Sequence, residues 1–92
     1  MEKKQIWKFA INPKTTLEMP KGASILTMQL QNGIPCIWAL VNPENEKELR
    51  YFEIYGTGDS IDCVGKKYIG TFQVQSSIVL VYHLFERVER GC

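Results

Sequence analysis

The clearest potential for binding chemistry lies in one polar segment that begins at Gly56-Thr57-Gly58. Two glycines around a threonine allow the backbone to bring successive N–H groups and a hydroxyl close to an anion. Lys66 adds positive charge further along, and Tyr55 or Trp38 offers a ring on which a nucleobase can stack. We therefore predict a binding site for a small anionic ligand, formed by Tyr55, Gly56, Thr57, Gly58, Lys66 and Trp38. The alternative is that the two glycines only permit a sharp exit from a strand.

The segment from Gly56 to Lys66-Lys67 is also long for a connection between strands. Hairpin loops usually take about two to five residues, whereas about ten residues without a strand pattern follow here. Extra loop length on a rigid β scaffold is where binding residues tend to lie. The pattern therefore predicts a loop over 56–67 that carries the site.

The remaining reactive residue types do not form a catalytic or metal-binding set. His83 is the single histidine and sits in an apolar strand pattern, which is typical of a packed side chain rather than a catalyst. The cysteines Cys36, Cys63 and Cys92 lack the short spacing of a zinc site. Asp59 and Asp62 lack the spacing of a calcium loop, and we interpret them as turn-forming residues. We predict no enzyme activity, no metal and no cofactor.

One hairpin of the scaffold is strongly specified. Asn32-Gly33 joins two strand-like runs, and this pair tolerates the positive φ angles of a type I′ turn. Such a turn places Gln29 opposite Cys36, Thr27 opposite Trp38, Leu26 opposite Ala39 and Ile25 opposite Leu40. One face of the hairpin is then wholly apolar and belongs to the core. The other is semi-polar and carries Trp38, as a lined groove or an oligomer contact would.

Further strands follow from alternating or doubly apolar runs, and we predict them over 6–11, 16–19, 49–55, 68–75 and 78–88. The last run starts apolar on both faces, which favours a central position in a sheet. A short helix over 44–50 is the main local alternative, because Glu, Lys and Leu favour helices. We predict a single all-β domain over residues 1–92, a small antiparallel β-barrel or sandwich of about seven strands built from hairpins.

Composition excludes several function classes. A net charge of +1 over 92 residues provides no basic stripe for a nucleic-acid partner. No apolar run approaches the roughly 18 residues of a membrane helix, and no apolar signal segment follows the charged N-terminus. An odd number of widely spaced cysteines indicates free thiols in a reducing compartment. We therefore expect a cytoplasmic protein that contacts neither nucleic acid nor membrane.

The chain also resembles a little-characterised family of domains of similar length found mainly in bacteriophages and prophages. The resemblance spans nearly the whole chain and rests on several blocks, of which the most specific are Met19-Pro20-Lys21-Gly22-Ala23 and Tyr55-Gly56-Thr57-Gly58. The other blocks are Trp7-Lys8-Phe9, Cys36-Ile37-Trp38-Ala39-Leu40-Val41, Tyr68-Ile69-Gly70-Thr71-Phe72 and His83-Leu84-Phe85-Glu86. It implies a viral or prophage accessory protein that acts in the cytoplasm of a host bacterium. The resemblance assigns no functional role to any residue of this chain.

Two functions are compatible with these observations. The first is non-catalytic sequestration of a small anionic ligand such as a host nucleotide immune signal, by analogy with other small phage proteins. A barrel of this size has little interior, so we expect the ligand to be held in a homo-oligomer. The second is an inhibitor or adaptor that acts on a host protein through a sheet face or edge.

Overall fold

Antiparallel strands in two facing sheets make up the computed structural model, which describes residues 3–61 and 65–88. The described strands are β1 (Gln5–Ala10), β2 (Lys14–Pro20), β3 (Ser24–Gln31), β4 (Ile34–Val41), β5 (Lys47–Gly56), β6 (Lys66–Gln75) and β7 (Val79–Arg87). The small sheet has the order β1-β4-β3, and the large sheet has the order β2-β5-β7-β6. The all-β class is confirmed. The sheets do not close on each other, so the molecule is a sandwich and the barrel alternative is wrong.

The Asn32-Gly33 turn forms as predicted, with φ angles of 52° and 78° at its two residues. The pairs nearest the turn, Gln29–Cys36 and Thr27–Trp38, are confirmed. Beyond them a β-bulge adds one residue to β3, and Ile25 rather than Leu26 lies opposite Ala39. The predicted pairings of Leu26 with Ala39 and of Ile25 with Leu40 are therefore wrong. Leu26, at the bulge, is about half exposed.

The hydrophobic core fills the space between the sheets. Successive side chains of a strand point to opposite faces, so each strand contributes every second residue. The buried apolar residues are Ile11, Met19, Ala23, Met28, Ile37, Ala39, Val41, Phe52, Phe72 and Leu84. The sheets approach each other closely where β3 crosses β6, since a β-carbon on Gly70 would lie only 2.8 Å from Cγ of Met28. A side chain at residue 70 would therefore force the Met28 side chain to shift.

A buried ion pair closes one end of the core. Arg50 donates from Nε and Nη2 to the two carboxylate oxygens of Glu86, at 2.6 and 2.8 Å. Its Nη1 donates to the carbonyl oxygen of Ala23. The hydrogen bonds to Glu86 raise the pKa of Arg50, although burial opposes them. The pair joins β5 to β7 and ties both to the residue that precedes β3.

Three further predictions can be compared with the observed elements. Strand β7 lies between β5 and β6, so its central position is confirmed, although its first residues are exposed. No helix forms over 44–50, since β5 begins at Lys47. The predicted loop is shorter than expected because β6 begins at Lys66, and both Lys66 and Lys67 therefore belong to a strand. Asp62, Cys63 and Cys92 lie outside the described residues.

Candidate ligand-binding face

The large sheet presents one side to the core and the other to solvent. We call the solvent side the outer face. Phe52 and Leu84 point into the core, so their strand neighbours point outward. The cross-strand register places Tyr55 beside His83 and Glu53 beside Phe85. The outer face thus gathers Tyr51, Glu53 and Tyr55 from β5, His83, Phe85 and Arg87 from β7, and Lys66, Tyr68 and Thr71 from β6.

A charged cluster occupies the middle of this face. Lys66 Nζ and the Tyr55 hydroxyl both donate to Oε1 of Glu53, at 2.6 and 2.7 Å. Arg87 Nη1 lies 4.0 Å from the other carboxylate oxygen of Glu53. The side chains of Lys66 and Glu53 are only 7% and 15% exposed, although they lie on the outer face. The cluster is therefore shielded by its neighbours rather than fully hydrated.

Hydrogen bonding changes the pKa of Glu53, Lys66 and Tyr55 within this cluster. The bond from Lys66, followed by the bond from Tyr55, lowers the pKa of Glu53. The bond to Glu53 raises the pKa of Lys66 and also that of Tyr55. Each shift favours the charged carboxylate, the charged ammonium and the neutral phenol, so the cluster stays in this state at neutral pH.

Aromatic rings surround the charged cluster. Phe85 lies between Tyr55 and Tyr68, with ring centroids 5.9 and 5.5 Å away and both contacts edge-to-face. The Lys66 ammonium lies 5.9 Å from the centroid of the Tyr55 ring, and the Arg87 guanidinium lies 5.1 Å from that of Tyr51. Tyr68 is 55% exposed, so its ring is available to a ligand. Aromatic rings beside cations are suited to planar anionic molecules.

His83 forms the second polar group of the face. Its Nε2 lies 2.7 Å from Oγ1 of Thr57, and its Nδ1 lies 2.9 Å from Oγ1 of Thr71. The hydroxyls of Thr71 and Tyr68 are 2.5 Å apart. A β-bulge between Tyr68 and Gly70 brings these two hydroxyls to the same face, although they are three residues apart. His83 is thus held by hydroxyls on both sides and is not packed in the core, contrary to the sequence-based interpretation.

The directions of these hydrogen bonds follow from the partners. Thr57 donates its hydroxyl proton to the carbonyl oxygen of Val81 at 3.4 Å, so it accepts from Nε2–H of His83. In the neutral ring that carries its proton on Nε2, the Nδ1 atom accepts from Thr71, which in turn accepts from Tyr68. This tautomer completes one run of hydrogen bonds from Tyr68 through His83 to the carbonyl oxygen of Val81.

The Gly56-Thr57-Gly58 segment forms a tight turn. The N–H of Asp59 donates to the carbonyl oxygen of Gly56 at 3.0 Å, and Gly58 has a φ of 96°, which favours glycine. The N–H of Gly56 donates to Oδ2 of Asp59 at 2.7 Å. The N–H of Thr57 donates to the carbonyl oxygen of Val81. The carboxylate of Asp59 thus occupies the position that a ligand anion would take at Gly56. This contact agrees with the interpretation of Asp59 as a turn-forming residue.

The structure brings some of the predicted site residues together and separates others. Tyr55 and Lys66 are in contact, and Thr57 reaches the same face through His83. Gly56 and Gly58 shape the turn beside that face. Trp38 lies on the solvent side of the small sheet, where it pairs with Lys8 and Thr27, and so faces away from Tyr55 across the whole sandwich.

Sequence reasoning missed Glu53, Tyr68, His83, Phe85 and Arg87 as members of one face. Alternation along the chain already indicates that Glu53 and Tyr55 share a face of β5, and that His83 and Phe85 share a face of β7. What alternation does not show is that β7 lies between β5 and β6. That strand order, a long-range property, assembles the face.

Two surface clefts differ in their suitability for an anion. The cleft beside the turn has a volume of about 470 Å³ and is lined by Gly56, Thr57, Asp59 and residues 79–82, a set with a carboxylate and without a cation. The cleft at the opposite end has a volume of about 400 Å³, and its charged lining consists of Arg50, Lys67 and Arg87 with the carboxylates of Glu48 and Glu86. Cations therefore outnumber carboxylates by one at the Arg87 end, where Arg50 is already paired with Glu86.

Within residues 3–61 and 65–88, no cluster of three or more His, Cys, Asp or Glu side chains is arranged to hold a metal ion. In the same residues no helix has the length and hydrophobicity needed to cross a membrane.

The fold and this face define the molecule as an antiparallel β-sandwich with an open, aromatic and charged sheet surface. Residues 2–91 match the model of a family described as a domain of unknown function, DUF7352. The chain belongs to this family. No curated protein and no solved structure matches the chain.

Proposed function

We propose that this protein binds and sequesters a small anionic ligand that contains an aromatic ring, as a nucleotide does, on the outer face of the large sheet. The observation that carries the proposal is the position of Phe85 between Tyr55 and Tyr68. Arg87 lies two residues beyond Phe85 on β7, and Lys66 lies two residues before Tyr68 on β6. Rings and cations at adjacent positions match a ligand in which a planar base is joined to phosphate. The ligand class is the one expected from the sequence, but the site is centred on Phe85 rather than on the Gly56 turn.

The dimensions of the face support a ligand of nucleotide size. Residues two apart on a strand are separated by about 7 Å, so Arg87, Phe85 and His83 form a row about 14 Å long. A phosphate would lie near Arg87, a base would stack on the exposed ring of Tyr68, and the ligand's hydroxyl groups would approach the Thr71 hydroxyl beside His83. Stacking on an aromatic side chain tolerates different bases, so specificity would come from the polar groups at the two ends.

The arrangement favours binding without turnover. His83 has both ring nitrogens in hydrogen bonds to hydroxyls, and the Glu53 carboxylate accepts from Lys66 and Tyr55. His83 would have to give up one of these hydrogen bonds before it could accept a proton from a ligand, and protonation of Glu53 would leave the charge of Lys66 without its partner. A sequestering protein needs tight, reversible contact only, which a rigid sheet with stacked rings provides.

We further propose that the protein is a phage or prophage accessory protein acting in the cytoplasm of a host bacterium. The sequence resemblance described above supports the origin. A buried free thiol at Cys36 is compatible with a reducing compartment. In this setting the ligand would be a host nucleotide that signals infection.

Calorimetric titration of the purified protein with AMP, ADP-ribose and cyclic dinucleotides tests the proposal. We expect at least one to bind, and Tyr68→Ala to weaken its binding about five- to 100-fold through loss of a stacking surface. Trp38→Ala is the matched control, because it removes an aromatic ring from the opposite side of the sandwich. Absence of binding by all three classes, or equal losses in both variants, would contradict the proposal. The bound nucleotide should be recovered unchanged after the protein is denatured.

A second candidate function is inhibition of a host protein through the solvent side of the small sheet. The observation that favours it is the half-buried ring of Trp38 on that side, with the Ile6 side chain on the same side 62% exposed. Tryptophan is enriched at the centres of protein interfaces. If this candidate is correct, Trp38→Ala abolishes retention of one stoichiometric host protein on the immobilised chain, and Tyr68→Ala does not.

A further inference from the structure

Strand β2 forms an edge of the large sheet, and its backbone groups alternate in direction. The carbonyl oxygen of Pro13 accepts from the N–H of Ile54 at 3.0 Å, so residue 13 is directed toward β5. The pairing of β2 with β5 has no bulge. By alternation, Thr15, Leu17 and Met19 also face β5. Lys14, Thr16 and Glu18 therefore direct their N–H and C=O groups to the open edge.

These outward groups are suited to pairing with a second copy of the same strand. A two-fold axis at Thr16 would place Thr16 of one copy opposite Thr16 of the other. It would also form two equivalent pairs in which Lys14 of one copy lies opposite Glu18 of the other. Each outward N–H then meets an outward C=O, because Lys14, Thr16 and Glu18 of one copy oppose only Lys14, Thr16 and Glu18 of the other. The charges are complementary, and opposite charges at directly facing positions stabilise an antiparallel pair.

The other described edges are less suitable. Strand β1 directs Ile6, Lys8 and Ala10 outward, because Ile11 donates its N–H to Pro35 of β4. Pairing of β1 with itself about Lys8 would place two lysines side by side, which is unfavourable. Strands β3 and β6 each contain a β-bulge, and bulges hinder edge pairing. Only β2 combines an unbroken register with complementary charges among these edges.

We propose that this protein forms a two-fold symmetric dimer by antiparallel pairing of the β2 strands. The two large sheets then become one continuous sheet, and the two outer faces lie side by side. A cleft of about 170 Å³, lined in part by Thr16, Tyr51 and Arg87, opens beside this edge, and the second copy would extend its wall. The dimer does not depend on the proposed ligand, although it would bring two copies of that site onto one surface.

Native mass spectrometry and sedimentation equilibrium of the full chain test this interface. We expect a species of twice the 10.6 kDa chain mass. Thr16→Pro removes an outward N–H at the centre of the interface without removing a bond to β5, so we expect a monomer. Lys8→Pro is the matched control, since it makes the same change at the outward edge of β1 and should leave the dimer intact.

Charge exchange provides a second, independent test. Glu18→Lys alone places lysines opposite each other, and Lys14→Glu alone places glutamates opposite each other. We expect each variant to dissociate about tenfold more readily than the wild type. An equimolar mixture of the two variants restores both opposite-charge pairs and should form a heterodimer.

Three results would overturn the proposal. One is a wild-type chain that remains monomeric at about 100 µM, a concentration that populates even weak dimers. Another is a dimer that is equally stable in the wild type and in Glu18→Lys. The last is a mixture of folded single variants that fails to form the heterodimer. Circular dichroism of each variant confirms that the sandwich has folded, and the charge variants decide the question if Thr16→Pro does not fold.

Discussion

Nζ of Lys66 lies 2.6 Å from Oε1 of Glu53, and the two side chains are almost fully shielded although they lie on the outer face of a sheet. The aromatic rings of Tyr55, Phe85 and Tyr68 stand around the pair. Shielding of this kind makes the loss of one partner costly, since the remaining charge cannot be fully hydrated. The ion pair therefore joins β5 to β6 across β7, the strand that lies between them.

Replacement of Glu53 by Gln should destabilise the protein at neutral pH and have little effect in acid. The folded state lowers the pKa of Glu53, so its contribution to stability is present above the unfolded pKa of about 4.5 and is lost as pH falls through the folded pKa. We expect a loss of about 1–3 kcal/mol at pH 7. Thermal unfolding of wild type and Glu53→Gln from neutral pH to acid measures the difference, which should shrink below pH 4.5. A constant difference would contradict this role.

Raising the pH should weaken the same cluster by deprotonating Lys66 and Tyr55. The folded state raises the pKa of Lys66 and Tyr55 above 10.5 and 10.0, so their contributions are present below those values and are lost as pH rises through the folded pKa values. We expect the wild type to lose stability in strong alkali more steeply than the variant Lys66→Met. Urea unfolding across this pH range checks the slopes. Parallel slopes would show that Lys66 does not titrate with folding.

Replacement of Arg50 by Met should cost about 3–5 kcal/mol, because it leaves the carboxylate of Glu86 buried without its partner. The double variant Arg50→Met, Glu86→Leu should recover much of this loss, since it removes both charges. Urea denaturation of the single and double variants measures the coupling. A double variant as unstable as the sum of its parts would mean that the two side chains act independently.

The substitution Gly70→Ala should destabilise the contact between the sheets by about 1–3 kcal/mol, because the added methyl group overlaps Cγ of Met28. Met28→Ala alone should also destabilise by leaving a cavity. Combined, the two substitutions should cost less than their sum, since the smaller side chain makes room for the methyl group. Additive losses, measured by urea denaturation, would argue against the close crossing of β3 and β6.

Nitrogen NMR of the imidazole ring tests the hydrogen-bond directions around His83. We expect the neutral ring to carry its proton on Nε2 rather than on Nδ1, because Thr57 donates to Val81 and so is placed to accept from Nε2. In Tyr68→Phe the chain loses its terminal donor, and the Nε2–H form should persist while exchange of the Thr71 hydroxyl proton accelerates. A ring protonated on Nδ1 would contradict the assignment.

Local patterns predicted the parts of this fold that depend on neighbouring residues. The Asn32-Gly33 turn and the first pairs of its hairpin follow from backbone preferences, and the central position of β7 follows from its apolar character. The predicted register is wrong beyond Thr27, because the bulge at Leu26 adds a residue that alternation along the chain does not reveal. The predicted start of β6 at Tyr68 is two residues too late, since the pairing of Lys66 with Arg87 is a long-range contact.

The sequence alone determined the all-β class, the turn residues and the presence of Tyr55 and Lys66 near a glycine-rich turn that begins at Gly56. Tertiary structure decided that Tyr55 lies beside Phe85 and His83 and that Lys66 meets Glu53. It also decided that Trp38 lies on the opposite side and that Asp59 occupies the anion position of the turn. The reason is physical. Alternation along one strand assigns each side chain to a face, whereas strand order and register decide which faces combine, and those depend on the packing of the whole chain.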